Sequence, residues 1–316
     1  MPAVTREFVE QLPKAELHLH LEGSLAPETL RELDPSVDLE QARARYRCSD
    51  FAGFIDAFKW AVGFLRSPDD YGLAARRLFA ELARQNVRYA EVTLSAGVVL
   101  WKGVDFGAVY DAVSREAGRA PMPVWLVLDS IRHFGAEQAM QVAHLAADRV
   151  GDRVVAFGIG GDEVRGPAEW FGEVFAFCRE RGLKLAPHAG ENTNAEAVWA
   201  ALRIGADRLG HGIRAIEDPV LVAHLAERRI PLEISITSNM VTGAVASLAA
   251  HPVRQLYEAG VPIILNTDDP AIFDTTLNDE YLLAALRFGF SGPELEGLAE
   301  ASFQWGFRAG GRFTGR

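Results

Sequence analysis

KLAPHAGE (184–191), DRLGHG (207–212), PLEISITSN (231–239) and PIILNTDDP (262–270) are four short apolar runs set between helical stretches. One such stretch, DPVLVAHLAERR (218–229), spaces its apolar residues at helical intervals and ends in arginines, as helix C-termini prefer. The alternation extends upstream. AELHLH (15–20), RYAEVTL (88–94), PVWLVLDS (123–130) and VVAFGIGG (154–161) read as strands, and YGLAARRLFAELARQN (71–86), AEQAMQVAHLAADRV (136–150) and AEWFGEVFAFCRERG (168–182) as helices. Strands that alternate with helices build parallel βαβ units, and eight of them close a (β/α)8 barrel. The expected fold class is therefore α/β: a TIM-type barrel, one domain over residues 1–316, with no low-complexity segment or linker to divide it.

The first crossover is the longest. It runs from His20 to Arg88 and holds DFAGFIDAFKWAVGFL (50–65), where Phe51, Phe54, Ile55 and Phe58 form one helical stripe. A core-facing helix accounts for such a stripe. A lid over the barrel mouth, where the βα loops emerge, accounts for it too, and a helix packed over the mouth satisfies both.

Composition bounds the function. The net charge of −11 lacks the basic footprint that polyanion binding requires, and no GxxxxGK[ST] phosphate loop is present. A neutral small molecule fits better than a nucleotide, and no nucleic-acid partner is expected. The two cysteines, Cys48 and Cys178, stand far apart, which argues against a disulfide scaffold and a thiolate zinc site and fits a cytoplasmic location. The N-terminus shows no signal-peptide pattern, and no apolar run approaches the ~20 residues that span a membrane. The oligomeric state is left open.

Chemistry-bearing residues gather at predicted strand ends. His18 and His20 end the first strand, and their i, i+2 spacing turns both side chains to one face. His188 ends the fifth strand and His211 the sixth, Asp268 and Asp269 end the eighth, and Glu191 opens the helix after His188. In a barrel these ends converge on one mouth. Imidazoles with a carboxylate suit zinc or another divalent first-row metal, which acidifies a bound water. Each feature alone has a plain explanation. NTDDP fits a turn, and Glu191, with Thr193 and Glu196 at capping-box spacing, fits a helix start. His133, His144, His224 and His251 read as structural. Together, though, the candidates all fall on one face of one barrel.

The sequence resembles the adenosine deaminase family of the amidohydrolase superfamily. The matching stretches are PKAELHLHLEGSL (13–25), GGDE (160–163), HAGE (188–191), LGHGI (209–213), TSN (237–239) followed by TGAV, and LNTDDP (265–270), in the family's order. The resemblance implies one zinc per chain held by His18, His20, His188 and Asp268. It implies that Glu191 protonates the purine N1, His211 assists the metal-bound water, Asp269 contacts water and N7, and the Gly161 backbone meets N3. Glu22 matches the acidic position that binds the ribose 5′-hydroxyl, and His20, Phe54 and Phe58 would also border the substrate. The implied reaction is deamination of adenosine or deoxyadenosine to the 6-oxo nucleoside and ammonia. The chain departs from the family at Gly158, where Asp is frequent, at Ser235 and Ile236, where Cys-Pro is frequent, and at Glu22, where Asp is usual. All three touch substrate fit.

Two relatives share the chemistry. Adenine deaminases usually carry SSE, IDHG and NSDDP where this chain has GDE, LGHG and NTDDP. Aminodeoxyfutalosine deaminases act on an adenosine with a bulky 5′ substituent, made in menaquinone synthesis, and the departures at Glu22 and Ser235 leave that substrate open. The cytidine deaminase signatures HxE and PCxxC are absent, and VVAFGIG carries no lysine to bridge two metals. A metal-stabilised binding protein would have no need of Glu191, His211 and Asp269.

Overall fold

A computed structural model describes residues 4–308. Helix α1 (Arg6–Gln11) leads into β1 (Lys14–His20), and β2 (Val87–Leu94), β3 (Val124–Ile131) and β4 (Val154–Gly160) follow, each after a crossover. The fifth strand position is split into β5 (Lys184–Leu185) and β6 (His188–Ala189), because Pro187 between them has no N–H to give to the ladder. Then come β7 (Leu209–His211), β8 (Leu232–Ile234) and β9 (Ile263–Leu265). All pairs are parallel, in the orders β1-β2-β3-β4-β5 and β6-β7-β8-β9. The ends meet where His20 N donates to Asp268 O at 2.8 Å and Asp268 N to His18 O at 3.1 Å. The expected eight-position barrel is the fold.

The first crossover carries a single 3₁₀ turn, Glu22–Ser24, and helices α2 (Pro27–Leu33), α3 (Leu39–Arg45), α4 (Phe51–Val62) and α5 (Pro68–Arg84). Asp50 caps α4 by accepting from Gly53 N, and α5 starts with Pro68 behind a Ser67–Asp70 capping box. Among the described residues no helix is long and apolar enough to cross a membrane.

Two features set the site. The first is a β-bulge in β1. Between Glu16 and Leu19 the register on β2 advances by one residue fewer than on β1, and the Asn266 Oδ1 accepts from both Leu17 N and His18 N, at 2.8 and 3.1 Å. The bulge shifts the alternation: Leu17 packs with Ala15, Tyr89, Ile264 and Phe303 on the barrel floor, while the next ring, His18, joins the histidine cluster above.

The second is a buried ion chain. Arg208, 1% exposed, donates to Glu233 Oε1 and, at 2.6 Å, to Glu91 Oε2. It also reaches Trp305 O at 2.8 Å and lies 3.9 Å from the centre of the Phe307 ring. Glu91 takes further bonds from Tyr89 Oη and Phe307 N. Removing one partner from such a network leaves uncompensated buried charge, which costs about 3–5 kcal/mol. Arg208→Met is therefore expected to lower the unfolding free energy by about that amount in urea titrations; a change below ~1 kcal/mol would show that the chain does not hold the barrel.

Candidate active site

The catalytic end of the barrel brings together His18, His20, His188, His211, Asp268, Asp269 and Glu191, all buried. His18 Nε2 and His20 Nε2 lie 3.3 and 3.4 Å from Asp268 Oδ1, and His20 Nε2 lies 3.3 Å from His188 Nε2. His211 Nε2 points at Glu191 Oε2 and Asp268 Oδ2 from 3.8 and 3.9 Å. Ligand atoms of His18, His188, His211 and Asp268 fall within 4.8 Å of one another. By distance alone His211 therefore stands where the sequence reading put His20 in the ligand set, although His20 contacts two members of it.

The backbone is strained to achieve this. His211 (φ +60°) and Asp268 (φ +68°) occupy the left-handed region, which costs a non-glycine residue on the order of 1–3 kcal/mol. Gly210 has no alternative, since a Cβ there would stand 2.7 Å from the His18 ring.

Second partners orient the rings. Glu233 Oε2 accepts from His18 Nδ1 at 2.7 Å, and Ile159 O accepts from His188 Nδ1 at 3.1 Å. Both rings thus turn Nε2 inward as a lone pair, the arrangement of metal-ligating histidines. His18 Nε2 has no hydrogen-bond partner, and it faces an Asp268 carboxylate held well below the usual range. Burial opposes that ionisation, but the contact with His18 and the charges of the surrounding histidines override it. Burial likewise works against a charge on His18, yet Asp268 and Glu233 push it up to about 10. The site thus demands positive charge between His18 and Asp268, and a divalent cation on these donors meets that demand.

Burial, then the charges of Asp268 and Glu163, hold Glu191 well above the carboxylate range, so its acid form persists. Its position is fixed through Glu163, which accepts from Gly190 N, Glu191 N, Asn192 N and Thr193 Oγ1 at 2.8–3.3 Å. The following helix is Ala195–Arg203, capped by Asn194. Glu191 precedes it instead of opening it, and the Thr193 hydroxyl serves Glu163 rather than a capping box.

A cavity of about 70 Å³ opens beside these groups, lined by Phe51, Phe54, Ile55 and Phe58 of α4 and by Gly160 and Gly161 among others. Gly161 (φ +89°) presents its backbone there. Phe54 packs 5.1 Å from Phe273, just beyond Asp269. Glu22 does not reach the cavity wall. It is buried, and its Oε1 accepts from Ser95 N at 3.0 Å. Ser95 and Asp129 line the cavity instead. Asp129 is paired in register with Gly158, its Oδ1 is unpartnered, and burial pushes it up to about 7. Sequence reading missed Asp129, Glu163, Glu233 and Arg208. GGDE flagged Glu163 as part of a motif, and nothing local flags the others.

The model of the Adenosine deaminase family matches residues 13–309. The chain belongs to the adenosine deaminase family. Aminodeoxyfutalosine deaminase of Streptomyces coelicolor is 40% identical over 96% of this chain and 83% of its own length. Adenine deaminase of Rhizobium meliloti is 35% identical over 94% of each. The crystal structure of adenine deaminase from Arthrobacter aurescens matches with a TM-score of 0.87 at 28% identity, covering 93% of this chain and 94% of that one. These relatives are deaminases, and the ligand atoms of this chain's buried His–Asp cluster lie close enough together to hold a metal ion.

Glu233 touches the histidine cluster through the His18 Nδ1–H. Glu233→Gln keeps the shape but weakens the hold on the Nδ1–H, and second partners of this kind are worth about 10–100-fold in metal affinity. Competition with a chromophoric chelator should show a loss in that range; unchanged affinity would detach Glu233 from the centre.

Proposed function

We propose that the protein is a zinc-dependent hydrolase that removes the 6-amino group from an adenine ring. The observation that supports this best is the pairing of a carboxyl group kept in its acid form, Glu191, with the His–Asp centre across one apolar-walled cavity. The substrate read first is aminodeoxyfutalosine, on the strength of the 40% identical relative. That choice sets aside adenosine itself, the first expectation from the motifs. Adenine is the second reading, favoured by the small cavity and by Glu22, which accepts from Ser95 N and does not reach the cavity wall. We assign the whole chain, 1–316, to one catalytic unit in the cytoplasm, with a small purine compound as its partner.

In this reading His18, His20, His188 and Asp268 hold one zinc, which supplies Lewis acidity to the attacking water. The other residues manage protons and orientation. Glu191 donates to ring N1, which makes C6 electrophilic and lets it become tetrahedral. His211 and Asp269 orient the water, and Asp269, held well above its ordinary value first by burial and then by Asp268, has a proton to offer N7. The Gly161 backbone meets N3. The phenylalanines of α4 exclude bulk water, which strengthens every electrostatic contact inside. Of the two protons the water brings, one passes to the amino group, which leaves as ammonia, and the other returns to Glu191, whose first proton stays on N1 of the 6-oxo ring.

A panel of aminodeoxyfutalosine, adenine, adenosine and deoxyadenosine, ranked by kcat/KM, tests the substrate. Aminodeoxyfutalosine should lead, and a lead for adenine would favour the second reading. Glu191→Gln should retain its zinc by elemental analysis while kcat falls ~10²–10⁴-fold, the usual worth of general acid catalysis. His188→Ala should lose both. An active Glu191→Gln enzyme would refute the mechanism.

The lid reading of α4 has its own check. Phe58→Ala should raise KM or lower kcat, because it opens the cavity wall. A variant that only melts earlier, with unchanged kinetics, would make Phe58 a packing residue alone.

A further inference from the structure

Four histidine rings crowd the centre, and distance alone does not say which of them offers a lone pair. Hydrogen placement does, and it runs through a residue outside the cavity lining. Val253 N donates to His251 Nδ1 at 3.2 Å, His251 Nε2 lies 3.2 Å from Asn239 Oδ1, and Asn239 Nδ2 lies 3.0 Å from His211 Nδ1. Asn239, His251 and His211 are all buried, so water does not scramble the pattern.

The chain has one consistent assignment. A backbone N–H is always a donor, so His251 Nδ1 accepts and the His251 proton resides on Nε2. That proton needs an oxygen, which sets the Asn239 amide with Oδ1 toward His251 and its NH₂ toward His211. The NH₂ needs an acceptor, so His211 Nδ1 is unprotonated and its proton sits on Nε2. Reversing the Asn239 amide would turn His251 Nδ1–H against Val253 N–H. A charged His251 would create the same clash, and burial keeps His251 neutral by pushing it down to about 4.

We infer that His251, acting through Asn239, fixes the His211 proton on Nε2, so that His211 faces the reaction centre as a hydrogen-bond donor and not as a metal ligand. The contrast within the cluster follows from the Nδ1 partners. His18 and His188 give Nδ1–H to acceptors, Glu233 and Ile159 O, and turn lone pairs inward. His211 receives a donor at Nδ1 and turns an N–H inward, toward Glu191 Oε2 and Asp268 Oδ2. A lone pair there would face the Asp268 carboxylate and be repelled by it; an N–H is attracted by that carboxylate and holds the oxygen of an incoming water. His251 and Asn239 touch no substrate and are positioning residues.

Histidine-selective ¹⁵N labelling tests this directly. Long-range ¹H–¹⁵N spectra of the zinc-loaded protein should show protonated-type Nε2 and bare-type Nδ1 for His211. His251→Leu, which frees Asn239 to turn over, should mix or reverse that pattern. It should lower kcat for ammonia release from aminodeoxyfutalosine, adenine or adenosine by ~10²-fold, the low end for a general acid–base group, with little change in KM. His251→Gln, whose amide again donates to Asn239 Oδ1, should restore most of the loss. A wild-type His211 proton on Nδ1, or a His251→Leu protein with the same ¹⁵N pattern and kcat, would overturn the proposal. The kinetic arm rests on the deaminase reading, while the ¹⁵N arm needs no substrate, so failure of one is distinguishable from failure of the other.

Discussion

One buried guanidinium holds the centre in place. Arg208 sits between Glu91 on β2 and Glu233 on β8 and ties both to the Trp305 carbonyl beneath the barrel. Three strand positions and the C-terminal segment thus share a single cation. Burial works against a charge on Glu233, and the Arg208 guanidinium beside it holds its carboxyl below the usual carboxylate range. Glu233 needs its charge, because that charge takes the Nδ1–H of His18 and leaves Nε2 free for the metal centre. The floor of the barrel is therefore electrostatically continuous with its mouth.

Above that floor, burial removes charge wherever a partner does not restore it. His20 and His211 are pushed down to about 4 and Asp129 up to about 7. Glu191 and Asp269 rise well above the carboxylate range. Asp268, like Glu163 and Glu233, is held below the usual carboxylate range: the His18 contact and the charges of the surrounding imidazoles lower it, and the Ser238 hydroxyl donates to its Oδ2 at 2.6 Å. A site whose histidines face an ionised carboxylate, with neutral proton carriers beside it, attracts a cation and can deliver protons to a neutral ring. That fits hydrolysis of an aromatic amine, where the ring must be protonated before water adds.

Much of this was legible in the sequence. Strand ends, the HxH pair, HAGE, HG and DD all carry chemistry on the catalytic face of a barrel, and the period of apolar runs gives the barrel itself. The remainder depends on contacts between distant segments. Glu91, Arg208 and Glu233 look like ordinary charges at strand positions until three strands bring them together. His251 reads as a structural histidine, and its connection to His211 runs through an Asn side chain and a backbone amide that no spacing encodes. The Leu17–His18 bulge is set by Asn266 from the other end of the chain. Glu22 fits the pattern of a ribose contact, but its backbone turn points it at Ser95 N instead.

The loop that carries the acidic pair Asp268 and Asp269 also packs against α4. Phe273 N donates to Asp269 O at 3.0 Å, and the Phe273 ring packs 5.1 Å from Phe54 on α4. At its far end α4 is tied down by Lys102 Nζ, which donates to Val62 O and to Leu65 O. The phenylalanine stripe of α4, the Phe273 ring and the backbone that carries Asp269 are thus parts of one packed unit, and the same stripe lines the cavity beside the histidine cluster.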